Sequence, residues 1–335
     1  MIIFMMIQTK LSLRSSVAVL LGCVMLLGCE PVESGVDGIG EDKVVAAMSE
    51  VVLPDYLPKE LVEAIDAETA EVVKAVRPHK ALYDIELVSA KNGSQILDIS
   101  GQMLYELRPA CDGWVTNHHF KLDYQYADGI SFAAKSDFST FERYDGTEMT
   151  FLSHRGREGQ VIEAAQGVVL KGESDAVRVE FQKPEPRTEL LPANTLFPVD
   201  HSLGIMRNIK DGQRFVNDLV FDGSDETLAY EINTFIGDPV SEEALRANLA
   251  EGHEIIGEEA ESLLSSPGHR LRMAFFDNAG RMEQPDYEMS FTLLENNLVS
   301  DMVVEYSDFS VRQSLKAVEA LDWPDCGSEI TEEGQ

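Results

Sequence analysis

Positive charge is scarce in this chain. Its 335 residues hold 27 Lys+Arg against 59 Asp+Glu, a formal net charge of −32. That balance excludes nucleic acid as a partner, because gripping a phosphate backbone takes a basic footprint. It also opposes docking on an anionic membrane surface and repels acidic substrates. Otherwise the excess reads as general solubility. Catalytic signatures are missing as well. There is no Gly-x-Ser-x-Gly elbow, no phosphate loop, no Gly-x-Gly-x-x-Gly after a strand and no His-Glu-x-x-His. The expectation is a protein that is not an enzyme and needs no cofactor and no metal.

Long apolar runs are confined to the N-terminus. Residues 1–28 carry Lys10 and Arg14 as their only charges, then an apolar stretch from Val17 to Leu27. This is the layout of a bacterial secretory signal. Its ending, Leu26-Leu27-Gly28-Cys29, has the form of a lipoprotein box, although Leu20-Leu21-Gly22-Cys23 has the same form. The reading is a signal peptide over 1–28, lipidation at Cys29, and export to a periplasm with an N-terminal anchor in a membrane. Residues 29–56 read as a polar tether, 57–326 as the folded domain and 327–335 as a loose acidic tail.

Cysteine is equally sparse. Of four, Cys23 and Cys29 fall in the signal, leaving Cys111 and Cys326. Two cysteines in an exported domain favour one disulfide, with free thiols or half of a metal site as the competing readings. No Cys-x-x-Cys or nearby histidine spacing supports zinc. Trp114 and Trp323 are the only tryptophans, each three residues from one of these cysteines. Disulfide–aromatic packing is the natural expectation.

What the chain has in abundance is alternation. Tyr83-x-Ile85-x-Leu87, Phe120-x-Leu122-x-Tyr124-x-Tyr126, Val177-x-Val179-x-Phe181, Tyr287-x-Met289-x-Phe291-x-Leu293 and further runs repeat with period two. That is the signature of half-buried antiparallel strands. Asp-Gly pairs at 112–113, 128–129, 145–146, 211–212 and 222–223 supply tight-turn chemistry. Helical spacing is read over 58–76, through an acidic insertion at 238–266, and in a closing helix over 311–321. So many strands must curl or close to hide their edges. The fold class is mainly β, one domain on a single large antiparallel sheet.

Candidate chemical groups are dispersed. His118 and His119 are adjacent, so on a strand they face opposite ways, one inward and one outward. Glu142 and Asp145 could form an acid–base pair, joined in space by His154 or His201 as a hydrolase. A strand end followed by an Asp-Gly turn explains the two acids more economically.

Several segments together resemble the EipB family of alphaproteobacterial periplasmic cell-envelope integrity proteins. They are Arg77-Pro78-His79-Lys80-Ala81-Leu82-Tyr83, Gly101-Gln102-Met103-Leu104-Tyr105 and Cys111-Asp112-Gly113-Trp114. They continue with Ser139-Thr140-Phe141-Glu142-Arg143-Tyr144-Asp145-Gly146, Leu196-Phe197-Pro198-Val199-Asp200-His201 and Val220-Phe221-Asp222-Gly223, closing on the late Cys326. Lys80 stands where arginine is more usual and Phe141 replaces a tryptophan. The resemblance spans roughly residues 77–326.

The resemblance implies a strongly curved, spiral-like sheet or open barrel, similar to lipoprotein carriers, wrapped around a helix. It also implies a disulfide between Cys111 and Cys326, and it carries no catalytic residues. The expected role is envelope maintenance by binding an envelope protein, lipoprotein or acyl chain on the concave face. A lipid or lipoprotein carrier in the strict sense is the alternative, and a hydrolase is the remote one.

Overall fold

The computed structural model describes residues 57–172, 176–225, 229–256, 258–277 and 284–326. The signal, Cys29, the tether and the acidic tail lie outside them. The chain enters through α1 (Lys59–Ala64) and α2 (Ala67–Val73) and then lays down eight strands in succession. These are β1 (His79–Ala90), β2 (Ile96–Pro109), β3 (Gly113–Tyr126), β4 (Ser131–Arg143), β5 (Glu148–Arg157), β6 (Gln160–Lys171), β7 (Ala176–Lys183) and β8 (Arg187–Pro192). Helix α3 (Pro198–Lys210) follows, then β9 (Phe215–Val220), β10 (Tyr230–Val240), α4 (Glu242–Ala247), β11 (Glu254–Ile256) and α5 (Glu258–Leu264). The chain closes with β12 (Gly268–Asp277), β13 (Tyr287–Leu294), β14 (Val299–Tyr306) and β15 (Phe309–Ala320).

All fifteen strands belong to one sheet, in the order β8-β7-β6-β5-β4-β3-β2-β1-β15-β14-β13-β12-β10-β9, with β11 added in parallel to the end of β15. Every other pairing is antiparallel. The first and last strands pair in the middle, where His79 faces Ala320 and Ala90 faces Phe309. The outer strands β8 and β9 do not pair with each other. Leu196, just beyond β8, instead exchanges backbone bonds with Leu219 (2.8 Å) and Phe221 (3.1 Å). The sheet is thus a curled, open barrel.

It curls around α3. One arm reaches the helix through Glu142 on β4 and Lys171 on β6, the other through Asp218 on β9 and the β13–β14 turn, where Asn297 accepts from Ser202 (2.6 Å). Arg207 ties the helix to Thr69 of α2 (2.9 Å). Phe197, Phe221 and Phe291 are among the largest fully buried side chains. Burial of each such ring contributes about 2–3 kcal/mol.

Three sequence expectations need correction. Residues 311–321 are not a closing helix but most of β15, paired on one side with β1 and on the other with β14 and β11. A register shift opposite Leu82/Tyr83 inserts one extra residue. The bulge places the buried Val311, Leu315 and Val318 at a spacing that imitates a helical stripe. The helix read over 58–76 is two, because Asp66 leaves helical geometry and caps α2 by accepting from Thr69 N (2.7 Å). The insertion at 238–266 is only partly helical: β10 runs through Val240, and β11 separates α4 from α5. Of the Asp-Gly pairs, 128–129 and 145–146 lie in hairpin turns and 112–113 at the start of β3, whereas Asp211-Gly212 ends α3 and Asp222-Gly223 sits in a buried loop.

Candidate functional site

The first turn of a helix has N–H groups without intrahelical partners. In α3 the first position is Pro198, whose fixed φ suits it and which has no N–H to satisfy. Glu142 reaches in from β4 and accepts the next N–H, that of Val199, at 2.8 Å. It is 2% exposed, and its Oε1 has no partner among the described residues. Burial, with Asp200 nearby, pushes the Glu142 carboxyl up to about 8, against the pull of the Val199 bond and Lys171. Asp200 is raised by its own burial while Lys171, at 3.8 Å, opposes the shift. The Lys171 ammonium also sits 4.1 Å over the Phe197 ring. A Cβ on Gly146 would lie 2.9 Å from Asp200 Oδ2, so the 145–146 turn closes directly over this carboxylate.

One turn of helix deeper, His201 Nε2 lies 3.4 Å from Asp218 Oδ2 but out of hydrogen-bonding alignment. Burial depresses the His201 imidazole to about 4, so it is neutral at pH 7. Two more buried histidines line the concave face. His79 bonds Arg77 O through Nδ1 (2.8 Å) and packs on Tyr105 (5.6 Å between ring centroids), which in turn meets His118 edge-on (4.9 Å). Burial lowers His79 to about 4 and His118 to about 3. The hydroxyls of Tyr83 and Tyr105 are pushed up by burial; Tyr83 donates to Val299 O (2.7 Å). His79 Nε2, His118 Nδ1, Glu142 Oε1 and both amide atoms of Gln313 are buried with no protein partner among the described residues. The concave face therefore pairs an apolar lining with several unspent polar atoms.

The opposite end of the sheet is aromatic. Tyr124, Tyr126 and Phe132 stack, with the Arg157 guanidinium 3.7 Å over Phe132, and Tyr306 stacks on Phe309. Tyr126 and Phe132 stay half-buried. Asp222 accepts from Ser224 N and Oγ (both 2.8 Å), and burial raises its carboxyl to about 6. Gly223 has φ +72° and would place a Cβ 2.5 Å from the Phe151 ring, so only glycine fits there. Gly101 is similarly required, because a Cβ would sit 2.1 Å from the Lys121 carbonyl across the β2–β3 ladder.

The structure thus gathers Glu142, Gly146, Phe197, Pro198 and His201 at the start of α3, strings His79, Tyr83 and Tyr105 along the concave face, and sets Asp222 and Gly223 beside Phe151. Cys111 and Cys326 are joined. Trp114 meets Trp323 (5.6 Å) and Tyr144 (5.4 Å) beside that link. His118 points inward and His119 outward, where it contacts Asp137 (2.7 Å). Of the four hydrolase candidates, Glu142 and His201 lie at the first turns of α3, and the other two do not complete a site with them. Asp145 is spent on Thr147 in an exposed turn, and His154 lies on β5 between the inward-facing Ser153 and Arg155 positions. Among the described residues no cluster of His, Cys, Asp and Glu could hold a metal, and no helix is long and apolar enough to cross a membrane. Sequence reasoning missed Lys171, Asp218 and Gln313, which carry no local signal. Asp200 had one, its place between Pro198 and His201.

Glu142 offers a direct test of this arrangement. Near pH 4, where the parent carboxyl is protonated, Glu142→Ala orphans the Val199 N–H and opens a cavity, costing about 3 kcal/mol. Glu142→Gln keeps an acceptor and stays within about 1 kcal/mol of the parent at that pH. Because the folded carboxyl titrates near 8 rather than 4.5, the parent loses stability as pH rises between those values, and the glutamine variant does not. Urea titrations from acid to alkaline pH read both effects. Equal losses in the two variants, with an unchanged pH profile, would refute the capping role.

A sheet curled around an inner helix, closed by one backbone bridge instead of a full ladder, defines an open β-barrel-like protein. The chain belongs to the EipB-like family, whose model matches residues 70–322. It is 26% identical over 260 residues to the Cell envelope integrity protein EipB of Brucella abortus (strain 2308), an alignment covering 76% of this chain and 89% of that protein. A solved beta-barrel-like protein of a domain of unknown function, also from Brucella abortus, superimposes with a TM-score of 0.66 at 24% identity, covering 74% of this chain and 99% of the other.

Proposed function

We propose that the protein maintains the bacterial cell envelope without catalysis, by holding an acyl chain, lipoprotein or protein segment against the concave face of its sheet. The kinship with a cell envelope integrity protein supports the envelope role. The binding role rests on the buried, unpartnered polar atoms at His79, His118, Glu142 and Gln313 on the inner face. Buried polar groups need partners, and a ligand head group or bound water supplies them. The absence of a nucleophile beside Glu142 and His201 among the described residues, with His154 on the outer side of β5 and Asp145 bonded to Thr147, supports a role without catalysis. In this reading the protein works in the periplasm, held to a membrane through an acylated Cys29.

Native mass spectrometry of the protein isolated from the periplasm tests the binding role. The expected result is an added mass that vanishes on denaturation, with Gln313→Leu, which removes two of those polar atoms, lowering the occupied fraction roughly tenfold. A deletion strain should become sensitive to detergents and cell-wall antibiotics. A clean mass together with normal resistance would overturn the proposal.

A further inference from the structure

A groove of about 1020 Å³ runs between α1, α5 and the segment after β15. Its apolar floor includes the buried Pro78 and Leu263 and the half-buried Trp323. The disulfide of Cys326 to Cys111 holds the wall that carries Trp323 in place. Three exposed carboxylates, Glu60, Glu259 and Asp322, stand around the opening. The nearby cations are committed elsewhere. Two of them line the groove: Lys59 pairs with Glu63 (3.3 Å), and Arg77 donates to the carbonyls of Lys74 (2.7 Å) and Val76 (2.9 Å); against these two cations the lining sets four acids, Glu60, Glu259, Asp322 and Asp325, and Arg246 beyond it is held by Glu242 and Glu261. Glu60, Glu259 and Asp322 therefore have no ion pair among the described residues. The first turn of α5 adds Glu258 beside Glu259, in a chain of net charge −32.

We infer that this groove is a docking site for a basic, extended segment of a partner protein. An apolar or aromatic side chain of that segment lies against Leu263 and Trp323, and its flanking lysines or arginines meet Glu60, Glu259 and Asp322. Charge complementarity selects this occupant. A second copy of the chain would bring more negative charge to the same place, and an anionic lipid surface would be repelled. The groove lies at the disulfide end and is separate from the concave face, so this inference stands apart from the function proposed above.

The test uses the full chain after signal removal and a fluorescein-labelled peptide of alternating lysine and leucine, read by anisotropy. Two charge-neutralised proteins are compared after circular dichroism shows both folded. One carries Glu60→Gln, Glu259→Gln and Asp322→Asn; the other carries Glu86→Gln, Asp123→Asn and Glu158→Gln, exposed acids of equal number outside the groove. The groove triple should weaken binding at least about tenfold and the remote triple less than about twofold. Serine–leucine and glutamate–leucine peptides should not bind. Equal weakening by both triples would reduce the effect to overall charge and overturn the site. So would a serine–leucine peptide that binds as tightly as the lysine one, or no binding by the lysine peptide. A dimer in sedimentation that the groove triple disperses would assign the groove to a second copy instead.

Discussion

Replacing Cys111 and Cys326 together by alanine should lower the free energy of unfolding by roughly 5 kcal/mol. The bond spans 215 residues of sequence, so it removes a very large loop from the freedom of the unfolded chain. In the folded protein it fastens the segment after β15 to the start of β3, where Trp114 and Trp323 already meet. Those ring contacts persist without the bond, so the loss comes mainly from the unfolded ensemble. The urea dependence of unfolding should accordingly steepen, because a chain without the link exposes more surface. Urea titration of the oxidised parent and the double variant measures both quantities. A difference below about 1 kcal/mol would mean that the unfolded chain is already compact around this link.

Acid should destabilise the protein through its interior histidines. His79, His118 and His201 are buried neutral, with values depressed from 6.5 to about 4, 3 and 4. A depressed histidine binds its proton more readily in the unfolded chain. Each therefore withdraws stability as pH falls from 6.5 toward its folded value, about 2 kcal/mol by pH 5. Glu142 and Asp222 act in the opposite sense, since their raised values favour the folded state as pH falls toward 4.5 and 3.8. The observed acid slope is the difference. His118→Phe should remove one histidine's share, because the ring sits among Tyr105, Phe120 and Phe138. Its stability at pH 5, relative to pH 7, should exceed the parent's by about 2 kcal/mol. Glu142→Gln should steepen the acid limb by removing an opposing group. An identical pH profile in His118→Phe and the parent would show that His118 titrates normally.

The strands were legible where inward positions are large and apolar, as in β1, β3 and β13. Alternation was not read along β4 and β5, beyond the strand end at Glu142, because their inward positions include Ser136, Thr140, Glu142 and Ser153, which break it although all are buried. Helix α3 was not read although it is amphipathic. It buries Pro198, Val199, His201, Ser202, Leu203, Ile205 and Met206 on the side that the sheet encloses, while Asp200, Gly204 and Arg207 form a half-buried stripe. The polar His201 and Ser202 on the enclosed side blur the period that marks a helix in the sequence. The family resemblance supplied the helix that periodicity could not place. The same enclosure explains why Glu142 looked like part of a turn: its partner is a backbone N–H 57 residues away.

The meeting of β1 and β15 at the centre of the sheet has a consequence for how the protein is made. A chain that emerges or is threaded across a membrane from its N-terminus can assemble β1 to β8 as local hairpins. It cannot complete the central ladder to β9–β14 until the final strand arrives, because among the described strands β15 lies between β1 and β14. Such distant pairings are slow to form. Until then both β1 and β14 present open edges, the state most exposed to proteolysis and aggregation. A chain cut short before Phe309 would remain permanently in that condition, two half-sheets without a seam.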